Sequence, residues 1–93
     1  MVIYRIRETS KIRNREIVDE YLQNHFCIDC GNSDIRVLEF DHVRGTKIGN
    51  ISHAIHRVWS IEKLLVEIDK CEIRCCNCHR IATIERRKKI NQN

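Results

Sequence analysis

Two pairs of cysteines, each with the spacing C-x-x-C, constrain this chain more than any other feature of its sequence. Cys27 and Cys30 form the first pair, and Cys75 and Cys78 form the second. Two thiolates on one tight turn can bind a single ion, and two such turns complete a tetrahedral site. The spacing therefore predicts a zinc site that closes a long loop and joins the start of a domain to its end.

The length of the chain explains why such a site would be needed. At 93 residues, with aromatic residues at 5%, the chain forms one small domain that buries little apolar surface. Four protein ligands leave zinc no open position for a substrate, so its role would be structural, and binding would supply free energy of folding. We expect a basic N-terminal segment and helix over residues 1–26, followed by the zinc domain over residues 27–90.

The N-terminal sequence predicts the compartment. The stretch MVIYRIRETSK alternates apolar and charged residues, lacks the apolar core of a secretory signal, and no apolar run elsewhere has the length of a membrane span. We therefore expect a soluble, cytoplasmic protein without membrane partners. In a reducing compartment, clustered cysteines are more often metal ligands than disulfides.

The second cysteine pair also fits a haem-attachment pattern. Cys75, Cys78 and His79 spell C-x-x-C-H. Haem would use both thiols for thioether bonds and would need a second axial ligand, yet the one methionine is Met1. Haem would also leave the first pair unexplained, so zinc is favoured.

Two cysteines, Cys71 and Cys76, belong to no further C-x-x-C pair. We expect each to be a small buried apolar residue. A zinc site that uses Cys76 in place of Cys75 stays open as an alternative.

The positive charges concentrate at the two ends of the chain. Residues 1–15 hold five Lys or Arg and one acid, and residues 73–93 hold six and one. Two basic ends suggest that the protein binds a polyanion, and nucleic acid is the preferred candidate. The alternative is that these charges only form a solvated surface. The candidate phosphate contacts are Arg74, Arg80, Arg86 and Arg87.

Apolar periodicity and turn signals predict an α+β chain. The clearest helix follows the capping residue Ser60 and has the apolar spacing of a buried face, with Ile61, Leu64, Leu65 and Ile68. The other predicted elements are a helix from Thr9 or Ser10 to Asn24 or His25, a strand over 35–40, a short helix within 51–58, a strand over 71–75 and a helix from Asn77 to Lys89.

If the second pair binds zinc, His79 is left for another role. Because both pairs converge on one ion, Asp41 and His42, at the end of the first strand, could share a cleft with His79. A carboxylate and an imidazole suit a divalent cation, and a second imidazole can activate water near neutral pH. Since alternation would separate Asp41 from His42, we expect the strand to end or twist there. The alternative is that Asp41 caps a turn and His42 packs in the core.

These residues resemble the zinc-containing branch of the HNH endonucleases. The stretches LEFDHVRG and KCEIRCCNCHR, framed by the two cysteine pairs, place the resemblance over roughly residues 27–87. It implies a zinc-stapled, treble-clef-like ββα-metal domain with an added N-terminal helix. It also implies that His42 is the general base and that Asp41 and His79 bind a catalytic Mg²⁺ or Mn²⁺. The zinc ligands it implies are Cys27, Cys30, Cys75 and Cys78.

One family residue has no counterpart at its usual position. The family's middle Asn, which braces the loop that carries the base, would fall where this chain has Lys70 or Cys71. Asn50 or Asn77 could supply a bracing amide from another position.

Cleavage of a phosphodiester needs a cation, a base and in-line positioning. The sequence therefore predicts a metal-dependent endonuclease that acts on nucleic acid, with DNA favoured over RNA. A non-catalytic zinc module that binds nucleic acid or a protein partner is the competing interpretation, because zinc, basic ends and small size fit it equally well. The size also fits a homodimer or a subunit of a larger complex.

Overall fold

A two-stranded antiparallel sheet joins the two halves of the chain. In the computed structural model, which describes residues 2–91 and the side chains of residues 7–90, β1 (Leu38–His42) pairs with β2 (Cys71–Cys75). Leu38 lies opposite Cys75 and His42 opposite Cys71. Within the described range, four helices accompany the sheet: α1 (Val2–Gln23), α2 (Ile51–His56), α3 (Ile61–Asp69) and α4 (Cys76–Asn91). The predicted α+β class is confirmed.

The helices lie close to their predicted positions, with one exception. The cap of α3 is confirmed, because Ser60 Oγ accepts a hydrogen bond from the Lys63 backbone N–H at 3.2 Å. The predicted start of α1 is wrong: the helix begins at Val2 and passes through Thr9 and Ser10, since the Arg, Lys, Glu and Ile residues around them are tolerated or favoured in helices. Across residues 2–91, no helix combines the length and hydrophobicity needed to cross a lipid bilayer.

The first strand begins later than predicted. Residues 35–37 form a turn, because the Asp34 carboxylate accepts a hydrogen bond from the Arg36 backbone N–H at 3.0 Å. Such local side-chain bonds compete with strand pairing. The strand then runs from Leu38 to His42, so Asp41 and His42 both belong to the regular ladder that β1 forms with β2. In that ladder Asp41 pairs with Glu72 and does not cap a turn.

Only half of the predicted apolar face of α3 is buried. Leu64 and Ile68 are buried, whereas Ile61 and Leu65 are 38% and 48% exposed. The remaining inward position holds Glu67, which is 1% exposed. A carboxylate in an apolar helix face needs polar partners, and these partners matter for the site.

The apolar core lies between α1, the sheet and the two short helices. Asn14 of α1 is fully buried and donates from Nδ2 to the carbonyls of Ala54 at 3.2 Å and Trp59 at 2.9 Å. These bonds attach α1 to α2 and to the turn that follows it. The core residues are Val18, Leu22, Cys27, Leu38, Ile51, Ala54, Ile55, Leu64, Ile68, Ile73 and Cys75.

Two adjacent leucines of α3 give a matched test of this core. Leu64 is fully buried and Leu65 is half exposed. We expect Leu64→Ala to lower the free energy of unfolding by about 2–5 kcal/mol, because it removes buried apolar volume. Leu65→Ala should change it by about 0.5 kcal/mol or less. Urea denaturation measures both values, and equal effects would contradict the assigned orientation of α3.

Candidate functional site

Four cysteine thiols meet at one point of the fold. The Sγ atoms of Cys27, Cys30, Cys75 and Cys78 all lie within 4.8 Å of one another, and the Cys30 and Cys75 sulfurs are 3.7 Å apart. In a tetrahedral site with Zn–S bonds of about 2.3 Å, neighbouring sulfurs lie about 3.8 Å apart. All six cysteines are free of disulfides. The quartet predicted from the spacing is therefore assembled and could hold a metal such as zinc.

The first cysteine pair sits on a tight turn that is attached to the sheet. The turn closes where the Gly31 backbone N–H donates to the Cys27 carbonyl at 2.9 Å, and Gly31 has a φ of +79°, which favours glycine. The Ile28 backbone N–H donates to the Ile73 carbonyl of β2 at 3.0 Å. The turn thus reaches the strand that carries the second pair.

The second pair spans the junction of β2 and α4. Cys75 is the last residue of β2, and Cys78 lies in the first turn of α4. The backbone N–H of Cys78 donates to the Sγ atom of Cys75 at 3.5 Å. Burial would raise the pKa of Cys27, but backbone N–H groups from both turns hold that pKa at about 6. The thiol of Cys78 has a raised pKa because it interacts with the Cys75 sulfur. The lowered pKa favours the thiolate form of Cys27, which is the form that binds a metal ion.

The remaining cysteines lie outside the quartet. Cys71 is buried as predicted, and its thiol donates to the Glu67 carbonyl at 3.5 Å. The predicted burial of Cys76 is wrong: this residue begins α4 and lines a surface depression. Haem attachment would require both thiols of the second pair to leave the cluster, and Met1, considered as its axial ligand, lies outside the described residues.

Asp41 and His79 lie close together, as predicted. His79 is in the first turn of α4, with its Nε2 atom 3.4 Å from Asp41 Oδ1. Its Nδ1 atom lies 2.8 Å from Oε1 of Glu39, a residue that the sequence prediction did not include. Glu39 stands two residues before Asp41, so strand alternation places both acids on the same side of the sheet. That alternation was the signal that could have identified Glu39.

The Asp41 carboxylate is buried among positive groups. Its side chain is 3% exposed, Arg74 Nη1 donates to Oδ2 at 2.7 Å, and Arg86 donates to both oxygens at 3.0 and 2.5 Å. Burial would raise the pKa of Asp41, but hydrogen bonds and charge from Arg86, together with His79 and Arg74, hold it below its usual value. Asp41 is therefore an anion whose charge is matched by Arg74 and Arg86.

His42 has different partners from its neighbour Asp41. The strand ends at His42, as expected, yet its Nε2 atom lies 2.9 Å from Oε2 of Glu67 on α3. Although the strand ends at His42, the side chains of Asp41 and His42 contact different groups: Asp41 contacts Arg74 and Arg86, and His42 contacts Glu67. Glu67 was also missed from sequence, although an acid within the apolar spacing of α3 was a signal for it.

Two adjacent surface depressions share Glu39 and His79 as lining residues, and we call them together the α4 groove. The depression of about 420 Å³ is also lined by His42. The depression of about 530 Å³ is also lined by Arg80 and Arg87. The α4 groove therefore contains both histidines of the predicted site and two of the four predicted phosphate contacts.

The other two predicted phosphate contacts are engaged in ion pairs. Arg74 bonds Asp29 at 2.7 Å in addition to Asp41, and its side chain is 13% exposed. Arg86 holds Asp41 but is 45% exposed. A phosphate contact by either arginine stays a prediction and would require one of these ion pairs to change.

Comparisons with protein-family models, with curated proteins and with solved structures found no match to this chain. The geometry of the thiol quartet and the α4 groove, together with the motif resemblance, is therefore the basis for assigning a function.

The four-thiol site makes a testable distinction between two cysteines. We expect the purified protein to bind about one zinc ion per chain and Cys27→Ser to lose it, because three thiolates hold zinc less tightly than four. Cys76→Ser, adjacent to the quartet, should keep the zinc. Metal content by mass spectrometry and unfolding by circular dichroism measure this. Zinc retained by a folded Cys27→Ser, or lost from Cys76→Ser, would refute the assignment.

Proposed function

We propose that this protein is a metal-dependent endonuclease of the HNH type that hydrolyses phosphodiester bonds in nucleic acid, with DNA preferred over RNA. One observation carries the proposal: His42 and His79 line the same depression, while His79 also contacts the buried Asp41. These are the three residues that the motif resemblance selects. They come from β1 and α4, which are far apart in sequence.

The arrangement of elements supports this assignment. Strand β1 pairs with β2, α2 and α3 lie between these strands in the sequence, and α4 follows β2 directly. This order would fit a treble-clef-like ββα-metal unit with a helical insertion. The quartet lies at the junction of β2 and α4, so it supports the helix that carries His79 and the strand that pairs with β1, on which His42 lies. Zinc would act structurally here, since four thiolates leave no position open for a substrate.

Two residues in contact with each other suit a catalytic cation: His79, which lines the groove, and the buried Asp41. A carboxylate from Asp41 and an imidazole from His79 are donors that Mg²⁺ or Mn²⁺ accepts. When bound, such a cation stabilises charge on the phosphate oxygens during hydrolysis. The guanidinium of Arg86 now matches the charge of Asp41, so we propose that Arg86 moves away when the cation binds and then becomes available to a phosphate.

His42 would act as the general base. It is 14% exposed in its side chain and lines the depression, so it combines partial burial with access to solvent. A neutral imidazole can take a proton from water near neutral pH. His79 is placed differently, because both of its ring nitrogens face carboxylates. The two histidines therefore suit different roles.

The α4 groove would also bind the nucleic-acid backbone. Arg80 and Arg87 line its larger depression, and Lys88 and Lys89 continue the positive charge along α4. Contacts to phosphate give affinity that falls with salt and depends little on base sequence. We propose that Arg80 and Arg87 make such contacts.

One observation favours a second function, a zinc module that binds nucleic acid without cutting it. Arg74 and Arg86 already neutralise the negative charge of Asp41, so the carboxylate has no unpaired charge to attract a metal cation. Binding without cleavage in the presence of Mg²⁺ or Mn²⁺ would support this second function.

The catalytic proposal predicts the effect of removing His42. With Mg²⁺ or Mn²⁺ present, we expect nicking of supercoiled plasmid DNA, and His42→Ala should slow it at least about 100-fold, because the base is lost. His53→Ala, a change at an exposed histidine of α2, serves as the control and should cleave normally. Both variants should keep their zinc. Cleavage by His42→Ala at the normal rate would remove His42 as the base.

The binding surface makes a separate prediction about salt dependence. We expect Arg87→Gln to weaken DNA binding and to reduce the slope of log affinity against log salt by about 0.9, because one phosphate contact is lost. Arg57→Gln removes the same charge at an exposed position at the end of α2 and should leave the slope unchanged. Fluorescence anisotropy at several salt concentrations measures the slopes. Equal slopes for the two variants would exclude Arg87 from the interface.

A further inference from the structure

A single buried carboxylate connects α3 to both His42 and the loop that follows it. Glu67 is 1% exposed, and its Oε2 atom lies 2.9 Å from His42 Nε2 and accepts the Ile48 backbone N–H at 3.0 Å. Its Oε1 atom accepts Lys70 Nζ at 2.9 Å. Burying an ionised carboxylate is costly unless it is paired and hydrogen-bonded, and here both oxygens are used.

These bonds also determine the ionisation of Glu67. Burial would raise its pKa, but hydrogen bonds from Lys70, the Ile48 N–H and His42 hold the pKa below its usual value. A carboxylate anion is only an acceptor, so the proton in the contact with His42 must lie on Nε2. A neutral imidazole has one N–H, and its other nitrogen, Nδ1, then has the free lone pair.

The same end of α3 holds the loop after His42. Lys70 Nζ donates to the Thr46 carbonyl at 2.7 Å, and the Lys70 carbonyl accepts the backbone N–H groups of Val43 at 2.9 Å and Arg44 at 3.2 Å. With the Ile48 contact, the loop is attached to α3 at several points. In the HNH family an asparagine braces this loop, but this chain has Lys70 or Cys71 at the corresponding position. Here Glu67, a few residues earlier in the sequence, braces the loop instead.

We propose that Glu67 is a positioning residue that holds His42 in the Nε2–H tautomer and orients the ring, so that Nδ1 is the nitrogen that accepts a proton from water. The use of Nδ1 as a base rests on the proposed nuclease function. The tautomer itself is a property of the protein without a substrate, so it can be measured even if the protein does not cleave nucleic acid.

The direct test is long-range ¹H–¹⁵N NMR of the zinc-loaded protein labelled at histidine, at a pH where His42 is neutral. The resonances of His42 are assigned by their loss in His42→Ala. We expect the pattern of a single Nε2–H tautomer in the wild type. An Nδ1–H pattern, or a mixture of both tautomers, would overturn the proposal.

Three variants separate positioning from general stability. Glu67→Leu removes the acceptor and should give a mixture of tautomers, while Glu67→Gln retains an acceptor oxygen and should keep Nε2–H. Glu62→Gln, at an exposed position of α3, should match the wild type. A single Nε2–H tautomer in Glu67→Leu would overturn the proposal. If Glu67→Leu does not fold, the wild-type spectrum alone still decides the matter.

Cleavage kinetics form the second arm. We expect Glu67→Leu to lower turnover at saturating DNA at least about 10-fold with KM little changed, and Glu67→Gln to recover part of that loss, because the ring is again held. A rise in KM with unchanged turnover would overturn the positioning role. Absence of cleavage by the wild type would contradict the nuclease function, while the tautomer measurement would still test the role of Glu67.

Discussion

The convergence of four thiols is the constraint on which the rest of this structure depends. It joins a turn at residues 27–30 to the junction of β2 and α4, and Cys30 and Cys75 are 45 positions apart. By the chain-entropy relation for disulfides, a permanent link across a loop of that length raises the free energy of the unfolded chain by about 4 kcal/mol. A metal ion bound by the four thiols would also stabilise the folded chain, through its binding free energy. For a 93-residue chain with few aromatic residues, a contribution of that size would be a large share of the net stability.

The α4 groove follows from this constraint. Because α4 starts inside the thiol cluster, His79 in its first turn is held beside β1, where Glu39 and Asp41 face it from alternate strand positions. His42, the next residue, contacts α3 through Glu67. The two histidines thus approach one depression from different supports: His79 depends on the thiol cluster, and His42 depends on the buried carboxylate. The positions of the candidate catalytic groups are set by packing and hydrogen bonds rather than by flexible loops.

The sequence allowed much of this to be predicted. The quartet, the α+β class, the Ser60 cap and the proximity of Asp41 and His79 were predictable because each depends on spacing or local chemistry. The burial of Cys76 and of Leu65 was predicted wrongly, because tertiary packing decides it. The start of α1 was predicted wrongly because the residues on both sides of Thr9 and Ser10 are compatible with a helix. Glu39 and Glu67 were missed since their partners lie on other elements. The ion pairs of Asp41 likewise depend on the position of α4 relative to the sheet.

The central claim is that one metal ion is bound by sulfur from both ends of the domain. X-ray absorption at the zinc edge of the purified protein tests it most directly, because the distance and type of the ligands can be read without assuming any activity. The account predicts four sulfur atoms at about 2.3 Å, and no nitrogen or oxygen in that shell. A shell with nitrogen or oxygen ligands, or a folded protein that contains no metal, would contradict it.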